Sequence, residues 1–169
     1  MDVVEPDVIE ADVVEAEEKD QRRLIRHKAL ELLARREHSR LELARKLKQR
    51  GFAADLASDV LATLEQEDLL SEQRFTESFV HGRMQRGKGP LRIRAELRER
   101  GIDDSLLERY LDDRASVWDD HIRDVHRRRF AGMLPETLSE RARQTRFLQY
   151  RGFTSQQIKT LLRGVVDEE

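Results

Sequence analysis

The segment from Gly82 to Gly89 has the glycine and lysine spacing of a phosphate-binding loop, whose backbone amides cradle phosphates while a lysine reaches the terminal phosphate. Gly89, however, stands where a Ser or Thr should ligate magnesium. Such a loop also follows a buried strand, whereas Phe75, Phe79 and Val80 recur at helical spacing just before this segment. The pattern therefore predicts a turn between two helices rather than a nucleotide site.

Histidine and carboxylate spacing gives no sign of a metal site or of acid–base catalysis. The chain contains five histidines: His27, His38, His81, His121 and His126. No two of them have the i, i+4 spacing that places two ligands on one helix face beside a suitable acid, and cysteine is absent. The acidic pairs at 112–113 and 119–120 are adjacent in sequence, so their side chains diverge around a helix. We expect no cofactor, no metal and no enzymatic active site.

The arginines between residues 83 and 100 indicate anion binding instead. Arg92, Glu96 and Arg100 lie four residues apart and can neutralise one another along one flank of a helix. Arg94 and Arg98 lie on the other flank and have no acidic partner within that helix. Unneutralised cations attract polyanions, although they also occur on merely solvated surfaces. The candidate residues for binding a partner or DNA are Arg83, Arg86, Lys88, Arg94, Arg98, Arg127 and Arg128.

An Arg-Gly dipeptide recurs about every fifty residues, at 50–51, 100–101 and 151–152, each time with a Leu four residues before the Gly. A fixed period of this length is typical of stacked helical units, each of which needs a neighbour to bury its apolar face. Arg50, Arg100 and Arg151 suit helix C-termini, where a cation stabilises the negative end of the helix dipole.

Capping residues and apolar spacing predict nine helices in three groups of three. The predicted helix starts are marked by Ser39, Ser71, Pro90, Asp103 and Thr154. The apolar face of the third group's first helix is predicted to run from Trp118 to Met133. The expected fold is all-α, with three tandem three-helix repeats, at 21–70, 71–114 and 115–166, forming an elongated, curved array.

The net charge of −2 hides an asymmetry, because residues 1–20 carry a charge of −8 and the remainder carries +6. Like charges repel, so residues 1–20 are predicted to form a disordered acidic tail. No apolar run approaches the ~20 residues of a membrane helix. The absence of cysteine is usual for a cytosolic protein, and we expect this one to be cytoplasmic.

Five segments have sequences characteristic of one known family: 38–52, 69–80, 86–90, 93–102 and 146–153. They closely resemble the RecX family of recombination regulators. The resemblance covers most of residues 22–165 and departs from the family at Ser71-Glu72, where the usual acidic pair lacks one acid.

The resemblance implies a non-enzymatic, monomeric modulator that lies in the helical groove of the RecA filament on single-stranded DNA. Such a modulator restrains filament growth, ATP hydrolysis, strand exchange and co-protease activity. It also implies weak binding to single- and double-stranded DNA. The alternatives are a DNA-binding helical repeat protein without a RecA partner, or a scaffold for some other acidic partner.

Overall fold

A computed structural model of the chain describes residues 6–112 and 114–163, with side chains described from residue 14 onward. All regular structure within these ranges is helical, which confirms the predicted all-α class. The described helices are α1 (Pro6–Leu33), α2 (Arg40–Gln49), α3 (Ala54–Gln66), α4 (Glu72–Gln85), α5 (Pro90–Arg98), α6 (Asp104–Tyr110), α7 (Val117–Phe130), α8 (Leu138–Arg151) and α9 (Ser155–Leu162). None of them combines the length and apolar character that a membrane span requires.

The helices begin where the capping residues predict. The N-cap side chains that accept a backbone N–H in the first turn are Ser39, Ser71, Asp103 and Thr154. Pro90 is the first residue of α5, where its missing N–H is not needed. A further capping box, Thr137 with Glu140, opens α8 and was not among the sequence-based predictions.

The first compact unit, Met1–Phe75, contains a core formed by α1, α2 and α3. Its fully buried side chains include Ile25, Ala29, Leu43, Leu47 and Leu64. Burying one such leucine or isoleucine contributes roughly 1.5–3 kcal/mol, so these positions hold the three helices together. Leu24 also matches the helical spacing, but it is half exposed because Ile25 and Ala29 occupy the packed face of α1.

The acidic segment differs from the predicted disordered tail. Residues 1–5 lie outside the described residues, but residues 6–20 form the N-terminal half of α1. Acidic side chains are favourable near the positive N-terminal end of a helix, and Ala and Glu are good helix formers. The side chains of residues 14–20 are all exposed. The first ion pair from α1 to α3 joins Arg22 to Asp59 at 3.0 Å.

The second compact unit, Thr76–Glu169, holds most of α4 and all of α5 to α9. One buried cluster joins α7, α8 and α9 and consists of Ile122, Val125, Leu148, Phe153, Ile158 and Leu162. Ile93 and Leu97 of α5 and Leu107 of α6 are fully buried as well. The second unit therefore contains the helices of two successive Arg-Gly repeats.

Backbone contacts connect the turn before α5 to the end of α8. The amide of Gly89 donates to the carbonyl of Arg151 at 2.8 Å, and the amide of Leu91 donates to the carbonyl of Gly152 at 3.0 Å. A Cβ on Gly89 would lie 2.5 Å from the carbonyl carbon of Gly152, so only glycine allows this approach. The predicted interhelical turn is confirmed, and it also packs against the third repeat.

Met133 is not part of the core, contrary to the sequence-based prediction. Helix α7 ends at Phe130, and both Ala131 and Gly132 adopt left-handed backbone conformations, with φ of 55° and 77°. These two residues end the helical path, and Met133 is 69% exposed. Apolar periodicity cannot detect a helix end of this kind, because the side-chain spacing continues past it.

Candidate anion-binding face

Arg83 is mostly buried and packs within the second unit. Its guanidinium forms an ion pair with Glu96 at 2.6 Å and lies 4.6 Å from the ring centroid of Phe79. Only 23% of the Arg83 side chain is exposed. The residue therefore connects α4 to α5.

Arg94 and Arg98 have no acidic partner within α5, as the spacing predicts, but both have partners in or next to α6. Arg94 Nη2 donates to the carbonyl of Leu111 at 2.6 Å, at the C-terminal end of α6. Arg98 Nε forms an exposed ion pair with Asp104 at 2.8 Å. Both partners lie beyond the end of α5, which a comparison of positions within one helix cannot reveal.

Of the four remaining candidate residues, one forms an ion pair and three are available to bind an anion. Arg127 forms an exposed ion pair with Asp124 at 2.7 Å. Arg86 and Arg128 are exposed and form no ion pair with the described residues. Lys88 lies two residues after Arg86 and is partly buried. The anion-binding face consists of these last three residues and the groups around them.

Arg86 and Arg128 line the same cleft, which has a volume of about 260 Å³. The C-terminal end of α4 and the helices α7 and α8 form its walls. Arg129 and Arg151 complete the cationic lining, and the other lining residues are Gln85, Gly87, Val125 and Phe147. None of the described residues in this lining carries a carboxylate, so the positive charge of the four guanidinium groups is not neutralised within the cleft.

Arg151 differs from its counterparts in the other repeats. Arg50 donates to the carbonyl of Lys46, and Arg100 donates to the carbonyl of Glu96, so these two bond to the last turn of their own helices as predicted. Arg151 Nη1 instead donates to the carbonyl of Arg86 at 2.9 Å. The close approach of the Gly89 turn to the end of α8 brings that carbonyl within reach.

A ring contact fixes the Arg151 side chain further. Its guanidinium lies 5.2 Å from the ring centroid of Phe147. Because the hydrogen bond and the aromatic ring both restrain it, Arg151 presents its charge to the cleft in a fixed position.

The turn between α4 and α5 extends the positive charge beyond the cleft. Burial lowers the pKa of the Lys88 ammonium, and the neighbouring charges of Arg92 and Arg151 lower it further. Positive charges are therefore concentrated around Lys88, and a bound anion would reduce the repulsion between them.

His121 anchors this turn to α7. Its Nε2 lies 3.0 Å from the Lys88 carbonyl, and because a carbonyl only accepts, Nε2 carries the proton. Burial lowers the pKa of His121, which favours the neutral ring at this position.

Tyr150 adds an exposed aromatic ring beside these cations. It is 70% exposed, and the Arg92 guanidinium lies 5.2 Å from its ring centroid. Arg92 is held by Glu96 at 3.2 Å and by the Tyr150 carbonyl at 3.3 Å. Gln49 and Glu99 occupy the equivalent positions before the other Arg-Gly dipeptides. Sequence reasoning did not give Arg151 or Tyr150 a binding role, although alignment of the three repeats marks Tyr150 as the exception.

The chemistry available at this face is anion binding. Across the described residues, no group of three or more His, Asp or Glu side chains is arranged to hold a metal ion. The described lining of the cleft offers guanidinium donors and one aromatic ring, with no Ser, His or carboxylate that could act as nucleophile or base. Guanidinium groups bind phosphate and carboxylate oxygens through paired hydrogen bonds.

Three family models match consecutive parts of the chain: the first three-helix domain of RecX at residues 26–64, the second at 71–111 and the third at 119–162. The chain belongs to the RecX family. Curated RecX relatives are closely similar over 140 residues, which make up 83% of this chain and 90% of theirs. The regulatory protein RecX of Pseudomonas syringae pv. tomato is 49% identical, and that of Pseudomonas fluorescens is 47% identical.

Two crystal structures of RecX proteins share the fold. The structure of RecX from Lactobacillus salivarius has a TM-score of 0.71 and 23% identity, and the match covers 86% of this chain and 96% of that one. A second, described as regulatory protein RecX, has a TM-score of 0.73 and 21% identity, over 96% of this chain and 80% of the other. These RecX structures bear out the all-helical repeat architecture.

Proposed function

We propose that this RecX-family protein regulates recombination by binding the RecA nucleoprotein filament along its groove. In this proposal it inhibits ATP hydrolysis, strand exchange and co-protease activity, and it does so in the cytoplasm without catalysing a reaction. The observation that carries the proposal is the match of all three RecX domains in order, together with close relatives that are named regulatory proteins.

The arrangement of the binding groups supports a regulator better than an enzyme. The described lining of the cleft supplies guanidinium groups, which bind anions but do not transfer protons or attack a substrate. A protein with three linked repeats can make several weak contacts at once, and linked contacts act at a high effective concentration. Repeated weak contacts suit a partner that is itself a repeating filament.

The direct test compares binding to RecA filaments on single-stranded DNA with binding to free RecA, by co-sedimentation. We expect the protein to sediment with the filaments and to slow their ATP hydrolysis in proportion to occupancy. A rate of ATP hydrolysis that stays unchanged at saturating protein would contradict the proposal. Filaments formed with a non-hydrolysable ATP analogue serve as the binding control, because they separate binding from changes in filament lifetime.

A second candidate function is DNA binding without a RecA partner, which the cationic lining of the cleft favours. Phosphate contacts release counterions, so binding to naked DNA weakens steeply with salt. The logarithm of the binding constant falls by roughly 0.7 to 0.9 per phosphate contact for each tenfold rise in salt concentration. Steep salt dependence on naked DNA, with no effect on RecA, would select this alternative. Failure to bind either would indicate another acidic partner.

A further inference from the structure

We propose that the cleft and Tyr150 together form a binding site for single-stranded nucleic acid. The guanidinium groups of Arg86 and Arg128 hold a backbone phosphate, and the ring of Tyr150 stacks on a base. This proposal rests on the second candidate function, DNA binding, to which it assigns residues and a strand type. It does not depend on contact with RecA, so its test uses nucleic acid alone.

The cleft suits a phosphate group in size, charge and donor geometry. Its volume of about 260 Å³ admits a phosphodiester with some of its hydration. Arg86 and Arg128 form no ion pair with the described residues, so they can bind a phosphate without giving up a carboxylate partner there. Arg151 is already held by the Arg86 carbonyl and by Phe147, so its charge is preorganised. Planar guanidinium groups match phosphate oxygens in pairs.

Tyr150 is placed as a stacking platform. The Arg92 guanidinium lies against the ring and is itself held by Glu96, while most of the ring surface stays exposed. A base stacked on the ring would extend this arrangement, since every base has an aromatic face and arginine adds a cation–π contribution. An exposed tyrosine backed by a fixed arginine is therefore suited to an unpaired base.

The stacking platform and the phosphate cleft are continuous. The turn between α4 and α5 joins them: Arg151 donates to the carbonyl of Arg86 at one end of the turn, and the Arg92 guanidinium, just after the turn, lies 5.2 Å from the Tyr150 ring centroid. Lys88 lies between these two contacts in the sequence, and the amide of the next residue, Gly89, donates to the Arg151 carbonyl. A strand could thus pass from Tyr150 over Lys88 into the cleft. A duplex hides its base faces, and Asp and Glu side chains have no aromatic face to stack, so the exposed ring favours a single strand over both a duplex and acidic side chains.

The test is fluorescence anisotropy of the full chain with a labelled oligothymidylate over a series of salt concentrations. Arg86→Gln combined with Arg128→Gln should weaken binding and lower the salt slope by about 0.7, which corresponds to the loss of one single-strand phosphate contact. Tyr150→Ala should weaken binding at least about fivefold, whereas Tyr150→Phe should retain it because the ring remains. Arg35→Gln combined with Arg141→Gln removes the same charge from two exposed arginines that do not line the cleft and form no ion pair with the described residues, and is the matched control.

Several outcomes would overturn the proposal. Equal binding by the cleft variant and its control would place the strand elsewhere. An equal loss of affinity for a labelled polyglutamate would assign the cleft to acidic protein surfaces, and an equal loss for duplex DNA in Tyr150→Ala would exclude base stacking. Thermal melting checks that the variants are folded.

A measurement on the unaltered protein keeps the proposal testable if a variant fails to fold. An oligonucleotide carrying 5-iodouracil cross-links to a stacked aromatic side chain on irradiation, and mass spectrometry locates the product. We expect the cross-link at Tyr150. Efficient cross-links at other residues alone would contradict the stacking assignment.

Discussion

For a single arginine, the atoms within reach of the guanidinium decide whether it stabilises the fold or remains available to a partner. Arg94 and Arg98 are alike in sequence, yet Arg94 reaches the carbonyl of the buried Leu111 while Arg98 reaches an exposed carboxylate. We expect Arg94→Met to lower the free energy of unfolding by about 1.5–3 kcal/mol, because a charged hydrogen bond is removed. Arg98→Met should change it by less than about 1 kcal/mol, since exposed ion pairs contribute little.

Urea denaturation of the two variants measures this difference directly. The two substitutions remove equal charge from neighbouring turns of α5, so each is a control for the other. Equal losses of stability would mean that the bond to the Leu111 carbonyl contributes nothing beyond surface charge.

Two glycines with the same backbone conformation should differ in how much they tolerate a methyl group. Gly51 and Gly152 have φ of 86° and 94°, and alanine in this region costs about 1–2 kcal/mol at either position. A Cβ at Gly51 meets nothing within 4 Å, whereas at Gly152 it would lie 2.4 Å from Arg92 Cβ. We expect Gly152→Ala to destabilise the fold by about 1–3 kcal/mol more than Gly51→Ala, through overpacking. Thermal melting of the two variants tests this, and matching melting temperatures would show that the structure around Gly152 relaxes without cost.

At the scale of the helices, the residue at which a helix begins can be predicted from sequence far better than the contacts between helices can. Ser39 and Thr154 cap helices through residues three positions away, so the information is local and readable. The bond from Arg151 to the Arg86 carbonyl spans sixty-five positions and depends on the close approach of Gly89 to α8. For the same reason Arg86 and Arg128 could be named as candidates, but their meeting in one cleft could not be predicted.

Two histidines that are at least half-buried make helix packing sensitive to acid. Burial lowers the pKa of His38, next to α2, and of His121, in α7. The folded pKa therefore lies below the unfolded value of about 6.5, and the unfolded chain binds more protons as the pH falls. The contribution of these histidines to stability is complete above pH ~6.5 and decreases as the pH falls through the folded pKa values.

Melting temperatures between roughly pH 7.5 and pH 5 check the effect. We expect His121→Gln, which can still donate to the Lys88 carbonyl, to melt with a smaller dependence on pH than the unaltered protein. His81→Gln alters an exposed histidine and is the control. An unchanged pH dependence in the His121 variant would show that this histidine does not contribute.

On the scale of the whole molecule, the Arg-Gly period predicts the repeats but not how they are divided between compact units. The described structure divides into two compact units, Met1–Phe75 and Thr76–Glu169, and the second contains the helices of two repeats. The bonds from Gly89 and Leu91 to the end of α8 belong to the second unit, whereas Gly51 in the first unit has open space where a Cβ would lie. The period shows only that the Arg-Gly dipeptides are equally spaced along the sequence. How closely each repeat packs against another depends on whether a second backbone segment lies beside its glycines, which the period does not show.

Charge is also distributed unevenly over the whole molecule, and this leads to a prediction about the acidic N-terminal segment. Residues 1–20 carry −8 and the rest carries +6, so we expect the acidic charge of the segment to compete with nucleic acid for the basic remainder of the chain. Deleting residues 1–20 should leave the melting temperature nearly unchanged, because the side chains of residues 14–20 are exposed and the packed positions of α1 begin after them. The deletion should raise affinity for an oligothymidylate at low salt.

The salt dependence distinguishes this competition from a structural effect of shortening α1. Electrostatic competition weakens as the Debye length falls to about 8 Å near 0.15 M salt, so the deletion variant and the full chain should bind equally above that concentration. A variant with Glu15, Glu17, Glu18 and Asp20 changed to the matching amides keeps the chain length, removes about half of the segment's negative charge, and should raise affinity at low salt by less than the deletion does. If the deletion alone raises affinity, or if its effect persists at high salt, the acidic charge is not the cause.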